Sequence, residues 1–130
     1  MLKKTITYTD YNGVERTDDC YFNLTEAELY EWELSAAGGF FEMLQRIINE
    51  KDVPTIAKTF KDLIFKAYGV KSPDGKRFIK SPELSTEFSQ TEAYNQLYVE
   101  LLTSDVAAAE FVNGLMPPKL VEKMKASNVN

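Results

Sequence analysis

The sequence predicts an α+β fold that is mainly α, with an N-terminal β-hairpin followed by a bundle of about five to six short helices. A hydrophobic alternation with a period of two marks the hairpin, and amphipathic stretches that begin at capping residues mark the helices. The chain has 130 residues, of which 44% are hydrophobic, enough for one core. We predict a single domain over residues 1–116 (hairpin 1–24, helical bundle 25–116) and a flexible polar tail over 117–130.

The hairpin prediction depends on two alternating stretches that flank Asn12-Gly13. Asn-Gly is a strong signal for a tight turn between antiparallel strands, because both positions tolerate a positive φ. The residues between the turn and position 24 alternate like those before it. The inward faces are predicted to carry Leu2, Lys4, Ile6 and Tyr8 on the first strand, and Val14, Cys20, Phe22 and Leu24 on the second.

The helix starts are predicted from side chains that accept hydrogen bonds from the first free backbone amides of a helix. Thr25 and Glu28 have the spacing of a capping box, in which each side chain bonds the other residue's amide. Pro54 fits the first turn of a helix, and Ser81 precedes another proline at such a position. The remaining starts are predicted at Thr91 and Ser104.

Apolar stripes with helical spacing follow these starts. The first predicted helix ends at Gly38-Gly39 and the third at Gly69, because glycine adopts the left-handed backbone at a helix C-terminus. Pro117-Pro118 ends the last helix. The first helix is predicted to bury Ala27, Tyr30, Leu34 and Ala37, with Leu29 and Trp32 beside them, and the second Phe40, Phe41, Leu44, Ile47 and Ile48.

Composition excludes several classes of function. The formal net charge of −5 argues against nucleic acid as a partner, because phosphate binding requires a basic face. The chain has no histidine, the usual general base and the commonest metal ligand, so we predict no enzyme, metal or cofactor. Its single cysteine, Cys20, has no partner for an internal disulfide and fits a reducing cytoplasm. We expect no membrane-spanning segment.

Residues 69–84 form a basic stretch that is the main candidate site. A phosphate-binding P-loop needs four residues between its first glycine and a Gly-Lys pair followed by Ser or Thr, and this stretch fails on both counts. A turn at Pro73 to Gly75 is the simpler interpretation. Phe78 would then point inward on a short extended piece. Lys76, Arg77 and Lys80 would form a solvated rim or, with Phe78, a protein-binding surface.

Four segments resemble one protein family. They are FNLTEAEL at 22–29, SPDGKRFIKSPEL at 72–84, FSQTEAY at 88–94 and AAAEFVNGLMP at 107–117. These segments are similar to those of the small tail assembly chaperones of long-tailed bacteriophages, particularly phages of Gram-positive hosts. The resemblance covers the chain from the hairpin to Pro117 and is one of overall pattern, without a catalytic signature.

The resemblance implies a non-enzymatic protein of the host cell cytoplasm. Proteins of this family coat the long tape measure protein, keep it soluble, and are displaced as tail tube protein polymerises around it. A client helix lying in a groove of the bundle would suit this role, and weak sites repeated along one client would add up. The hairpin edges could also pair with a neighbouring copy, so self-association is a further expectation.

Two other classes remain open from the sequence. The first alternative is a small structural protein of the virion, in the tail or at the head–tail connector. The second is an enzyme that works through carboxylates alone, which the missing histidine disfavours. Presence in purified particles would indicate the first alternative, and loss of tail assembly despite intact acidic residues would argue against the second.

Overall fold

The structure is a computed structural model that describes residues 1–35, 39–40, 42 and 53–117. Within these ranges it has four strands and five helices. The strands are β1 (Leu2–Thr9), β2 (Glu15–Phe22), β3 (Tyr68–Lys71) and β4 (Phe78–Ile79). The helices are α1 (Glu26–Glu33), α2 (Val53–Ala67), α3 (Pro82–Ser89), α4 (Glu92–Thr103) and α5 (Asp105–Leu115).

The predicted N-terminal hairpin is confirmed. β1 and β2 pair antiparallel over their whole length, from Leu2 opposite Phe22 to Thr9 opposite Glu15. Gly13 has a φ of 80° in the connecting turn, a conformation that glycine adopts without steric cost. The inward face includes Ile6, Cys20 and Phe22, which are all buried. The opposite face is polar, and Thr5 there donates a hydrogen bond to Asp19 across the two strands at 2.7 Å.

A second hairpin extends this sheet, which has the order β1-β2-β3-β4. β3 pairs antiparallel with β2 only at Tyr21 and Phe22, and β4 pairs antiparallel with β3. The prediction that the preceding helix ends at Gly69 was therefore wrong, because α2 ends at Ala67 and Gly69 lies in β3. The pairing of Tyr21 with Gly69 gives the backbone of this segment strand partners in place of helical ones.

The predicted helix starts agree with the structure. Thr25 and Glu28 form the reciprocal bonds of a capping box at α1. Ser81, Thr91 and Ser104 each accept a hydrogen bond from an amide in the first turn of α3, α4 and α5. Ser104 is also the last residue before α5, so a single extended residue separates α4 from α5 and turns the chain sharply.

The helices cover the inward face of the sheet, and the core lies between the two layers. Phe22 is fully buried and its ring contacts those of Phe111 and Phe88 at centroid distances of 5.3 and 5.9 Å. Tilted and edge-to-face aromatic pairs of this kind are favourable beyond the area they bury. α2 contributes the buried residues Phe60, Leu63, Ile64 and Ala67, which lie on one side of the helix at helical spacing.

The last two helices pack against the first strand. The side chain of Lys4 on β1 forms an ion pair with Glu100 on α4 at 3.3 Å. Gly114 on α5 lies so close to Leu2 that an added Cβ would be 2.8 Å from a methyl carbon of that leucine. A side chain at position 114 would therefore push α5 away from β1.

The first helix differs from its prediction in length and in orientation. α1 ends at Glu33, before Gly38-Gly39. Its buried residue is Leu29, with Trp32 packed beside it, whereas Tyr30 and Leu34 are 52% and 84% exposed. The described members of the predicted buried stripe, Ala27, Tyr30 and Leu34, are thus on the solvent side, whereas Ala37 lies outside the described residues. Leu29 and Trp32 are three positions apart and form an equally valid stripe, which the tertiary packing selects.

Two predictions lie mainly outside the described residues. The second predicted helix falls on residues 40–48, of which the structure describes only Phe40 and Glu42. Phe40 is buried and its ring lies 5.4 Å from that of Trp32. The polar tail predicted over 117–130 is described only at Pro117, so the end of the domain near Met116 stays a prediction.

Candidate functional site

The loop between β3 and β4 is held by its own hydrogen bonds. The amide of Ser72 donates to the carbonyl of Arg77, and the amide of Arg77 donates to the hydroxyl of Ser72. That hydroxyl in turn donates to Asp74 at 2.6 Å. Asp74 also accepts from the amide of Lys76, and Gly75 has a φ of 74°. The predicted turn is therefore present, and it displays the side chains of Lys76 and Arg77 at an exposed tip.

Lys80 does not belong to this tip, because its side chain forms an ion pair with α1. Its ammonium group donates to the carbonyl oxygen of Asn23 and to Glu28, 2.7 Å away, and the side chain is 20% exposed. Burial is the largest single influence and would raise the pKa of Glu28, but the hydrogen bonds from Lys80 and Thr25, together with the charge of Lys80, outweigh it and lower that pKa. Of the predicted site residues, Lys76 and Arg77 thus lie together, while Lys80 joins β4 to α1.

Phe78, the fourth predicted site residue, was predicted to point inward, but it lies on the outer face of the sheet, where it covers a glycine. A Cβ built on Gly69 would be 2.6 Å from a ring carbon of Phe78, so only glycine allows this approach. Phe78 is opposite Lys71 on the neighbouring strand, and the Lys71 ammonium lies 4.3 Å from the ring centroid of Tyr21. Aromatic and basic side chains therefore alternate on this face, and Phe78 is half-buried.

The exposed side of α1 is a second candidate surface. Ala27, Tyr30 and Leu34 are all exposed and follow one another at helical spacing. Apolar side chains exposed along one helix side are the usual anchors for a partner helix. The apolar pattern of the sequence predicted this stripe, but the stripe was expected to be buried in the core.

A third candidate is the edge of β2 that faces away from β1 and is free among the described residues. The sequence predicted only that the hairpin edges could pair with a neighbouring copy, without indicating which part of which edge is open. The amide of Asn23 donates to the carbonyl of Ala67, so backbone groups at odd-numbered positions near it face β3. Because backbone groups alternate in direction along a strand, those of Asp19 and Thr17 also face away from β1. β3 pairs with β2 only at Tyr21 and Phe22, so the edge at Asp19 and Thr17 has no strand partner in the described ranges.

A groove of about 400 Å³ lies beside this edge, between β2 and the helices α3 and α4. We call it the edge groove. Its apolar surface includes Tyr68 and Phe88, whose rings stack at 4.2 Å, and the buried Cys20. Within the part of the chain that the structure describes, no lysine or arginine lines this groove. Its lining residues are Tyr8, Asp18, Asp19, Cys20, Tyr68, Leu84, Glu87, Phe88, Thr91 and Ala93.

Burial and neighbouring acidic side chains raise the pKa values of the neutral groups in the edge groove. Burial, then the charges of Asp18 and Asp19, raise the pKa of the Cys20 thiol to about 11. Burial is also the main cause that raises the pKa of Tyr68, with Glu87 and Asp18 among the smaller causes. Tyr8 donates a hydrogen bond to Asp18, which raises the pKa of the tyrosine. A cation is therefore favoured in this groove.

Cys20 is a protonated, buried thiol at ordinary pH, so it does not act as a nucleophile. Within the described part of the chain, no set of three or more Cys, Asp and Glu side chains is arranged to hold a metal ion. None of the described helices has the length and apolar character to cross a bilayer. Two adjacent aspartates, Asp18 and Asp19, are unusual inside a strand, and they were the feature of the sequence from which the edge groove could have been predicted.

Comparison with known protein families identifies a match that covers nearly the whole chain. The family model described as phage tail assembly chaperone matches residues 1–129. No curated protein and no solved structure matches the chain. The matched range includes every strand and helix described above.

Proposed function

Because this chain belongs to the phage tail assembly chaperone family, we propose that it binds the tape measure protein and keeps it soluble while the tail is assembled. The family match over residues 1–129 is the observation that carries this proposal. A chaperone of this kind needs an exposed apolar surface for its client and a fold that stays soluble when that surface is empty. The net charge of −5 favours the second requirement.

The exposed stripe on α1 is the surface that best supports binding of a helical client. Tyr30 and Leu34 are one turn apart and present an aromatic and an aliphatic side chain to solvent. Glu28, on the same helix, is held by Lys80, so α1 is fixed against the second hairpin and presents its stripe on a rigid support. Rigid presentation lowers the entropic cost of binding.

The exposed tip at Lys76 and Arg77 supplies positive charge for acidic segments of the same client. Several copies of the chain along one client would convert weak contacts into tight overall binding. The proposal further includes that copies of the chain associate with one another along the client and that the polymerising tail tube protein displaces them. Both steps take place in the host cell cytoplasm. A nucleic acid is not among the proposed partners, because the chain is acidic.

Co-expression with the tape measure protein of the same phage tests the function. The tape measure protein is expected to remain soluble and to co-purify with the chain, and to precipitate when expressed alone. Equal solubility alone and no complex would refute the proposal. Recovery of the chain as a stoichiometric component of purified phage particles would instead indicate a structural virion protein.

Variants of the α1 stripe test the surface separately from the function. The double change Tyr30→Ser and Leu34→Ser is expected to reduce the amount of soluble client without lowering the thermal midpoint, because both side chains are exposed. Val106→Ser on α5 is the matched control, since Val106 is 69% exposed and lies outside this stripe. A complex that forms normally with the double variant would reject the surface and leave the function standing.

A further inference from the structure

We infer that the edge groove binds an extended, positively charged segment of the client, which pairs with the free edge of β2 as an additional strand. This inference rests on the proposed function and names the chemistry of one segment of its client. It differs from helix binding on α1, because the contacts at a strand edge are made by backbone groups.

The backbone of β2 supplies the first part of the argument. The amides and carbonyls of Asp19 and Thr17 face the open edge, next to the point where β3 stops pairing at Tyr21. An added strand that lies beside β2 in line with β3 would form hydrogen bonds with these groups, in either antiparallel or parallel orientation. The exposed side chains of both residues leave room for it.

The edge groove supplies the second part. A strand at the β2 edge would place every second side chain against the stacked rings of Tyr68 and Phe88. These rings and Cys20 favour apolar side chains in the segment. Asp18, Asp19 and Glu87 surround the same space, and no basic side chain of the described residues lines it. A lysine or arginine beside the apolar positions of the segment would therefore balance these negative charges.

The same charges disfavour a second copy of this chain as the occupant. Two identical β2 edges in antiparallel pairing would bring the carboxylates of one copy against those of the other. Like charges directly opposite each other in a sheet are destabilising. Acidic side chains on a free edge therefore reject the identical edge and admit a basic partner.

Short overlapping peptides that cover the tape measure protein are the probe. Fluorescence anisotropy with labelled peptides is expected to identify a segment that is net positive, and its affinity is expected to fall as salt is raised, because salt screens the charges. Asp19→Lys and Glu87→Lys are each expected to weaken this peptide about tenfold or more. Glu110→Lys on α5 makes the same charge change outside the edge groove and is expected to leave binding unchanged.

Replacement of a backbone amide tests strand addition directly. Thr17→Pro removes an amide that faces the open edge, where proline is tolerated, and is expected to abolish binding of the positive peptide. Thr17→Val loses the same hydroxyl but keeps the amide, and is expected to bind normally. Equal binding by the two variants, at equal thermal midpoints, would overturn the pairing. If Thr17→Pro lowers the thermal midpoint, two versions of the positive peptide replace it, one N-methylated at odd-numbered and one at even-numbered positions. Only the version whose methylated amides face β2 is expected to lose binding, and equal binding of the two versions would overturn the pairing.

The results separate this inference from the proposed function. Failure of the full-length tape measure protein to bind the wild-type chain would reject the function. A normal complex that is insensitive to Asp19→Lys, Glu87→Lys and Thr17→Pro would reject the edge groove alone. Binding of only negative or uncharged peptides, or of peptides from this chain's residues 117–130 in preference to those of the client, would also overturn the inference.

Discussion

Lys80 lies 2.7 Å from a carboxylate oxygen of Glu28 and joins the end of β4 to the first turn of α1. The same ammonium group bonds the carbonyl of Asn23, between β2 and α1. The ammonium group of Lys80 therefore links the end of β4, the first turn of α1 and the segment between β2 and α1.

Lys80→Met, which keeps most of the aliphatic stem, is expected to lower the free energy of unfolding by about 1–2 kcal/mol in urea titrations. Lys76→Met at the exposed tip is the control, with an expected change below about 0.5 kcal/mol. Equal effects would contradict the anchoring role.

The pH dependence of stability is expected to report the same ion pair. Lys80 and the capping amide lower the pKa of Glu28 in the folded chain below its unfolded value. Its stabilising contribution is therefore present above the unfolded pKa and is lost as pH falls through the folded pKa. Glu28→Gln is expected to be less stable than the wild type at neutral pH and to lose less on acidification. Parallel curves from neutral pH to the acid range would contradict this assignment.

Gly69 and Phe78 are expected to be energetically coupled. Gly69→Ala would place a methyl group against the Phe78 ring and within 2.7 Å of the Ile79 carbonyl oxygen, so β4 must shift. A loss of about 1–3 kcal/mol in the free energy of unfolding is expected. The double variant with Phe78→Ala should lose less than the sum of the single variants, because one of the two clashes is removed. Additive losses would indicate that the ring does not restrict position 69.

Cys20 is expected to react slowly with alkylating reagents. A thiol with a pKa of about 11 is only about 0.1% ionised at pH 8, compared with about a quarter for an ordinary thiol. Iodoacetamide at pH 8 should therefore label the folded chain about a hundredfold more slowly than the urea-unfolded chain. Mass spectrometry follows the modification, and similar rates in both states would contradict a buried, protonated thiol.

Charge reversal at the hairpin tip tests the remaining predicted site residues. Lys76→Glu with Arg77→Glu is expected to weaken co-purification of the tape measure protein and to leave the thermal midpoint nearly unchanged, because both side chains are exposed. Lys80 is left intact in this variant, since its reversal would break the ion pair with Glu28. Lys58→Glu together with Lys61→Glu on α2 provides a control with the same charge change. If tip and control variants retain the client equally, the tip is only a solvated turn.

Local chemistry made the first hairpin and the helix starts predictable. Asn12-Gly13 favours one turn geometry, and Thr25, Ser81 and Ser104 each satisfy backbone amides within a few residues. These interactions depend on neighbours in the sequence. A single chain therefore contains enough information to place them.

The choices that depend on distant contacts were less predictable. α1 has two possible apolar stripes, and only packing against the rest of the chain decides that Leu29 is buried and Leu34 exposed. β3 is short and follows a helix directly, so its strand character depends on Tyr21 being available as a partner. The edge groove brings together parts of both hairpins and two helices, which the sequence alone does not place next to each other.

The packing of α4 and α5 on β1 also has a consequence for synthesis on the ribosome. Lys4 and Glu100 are 96 positions apart, so β1 can complete its contacts only after α4, one of the last helices, has been synthesised. Contacts between distant positions slow folding, because a long loop must close before they form. At about 5–20 residues per second, the emerging hairpin spends several seconds with its apolar face uncovered. A nascent chain stalled before Glu100 should therefore be protease-sensitive, and one stalled well beyond Leu115 should be resistant.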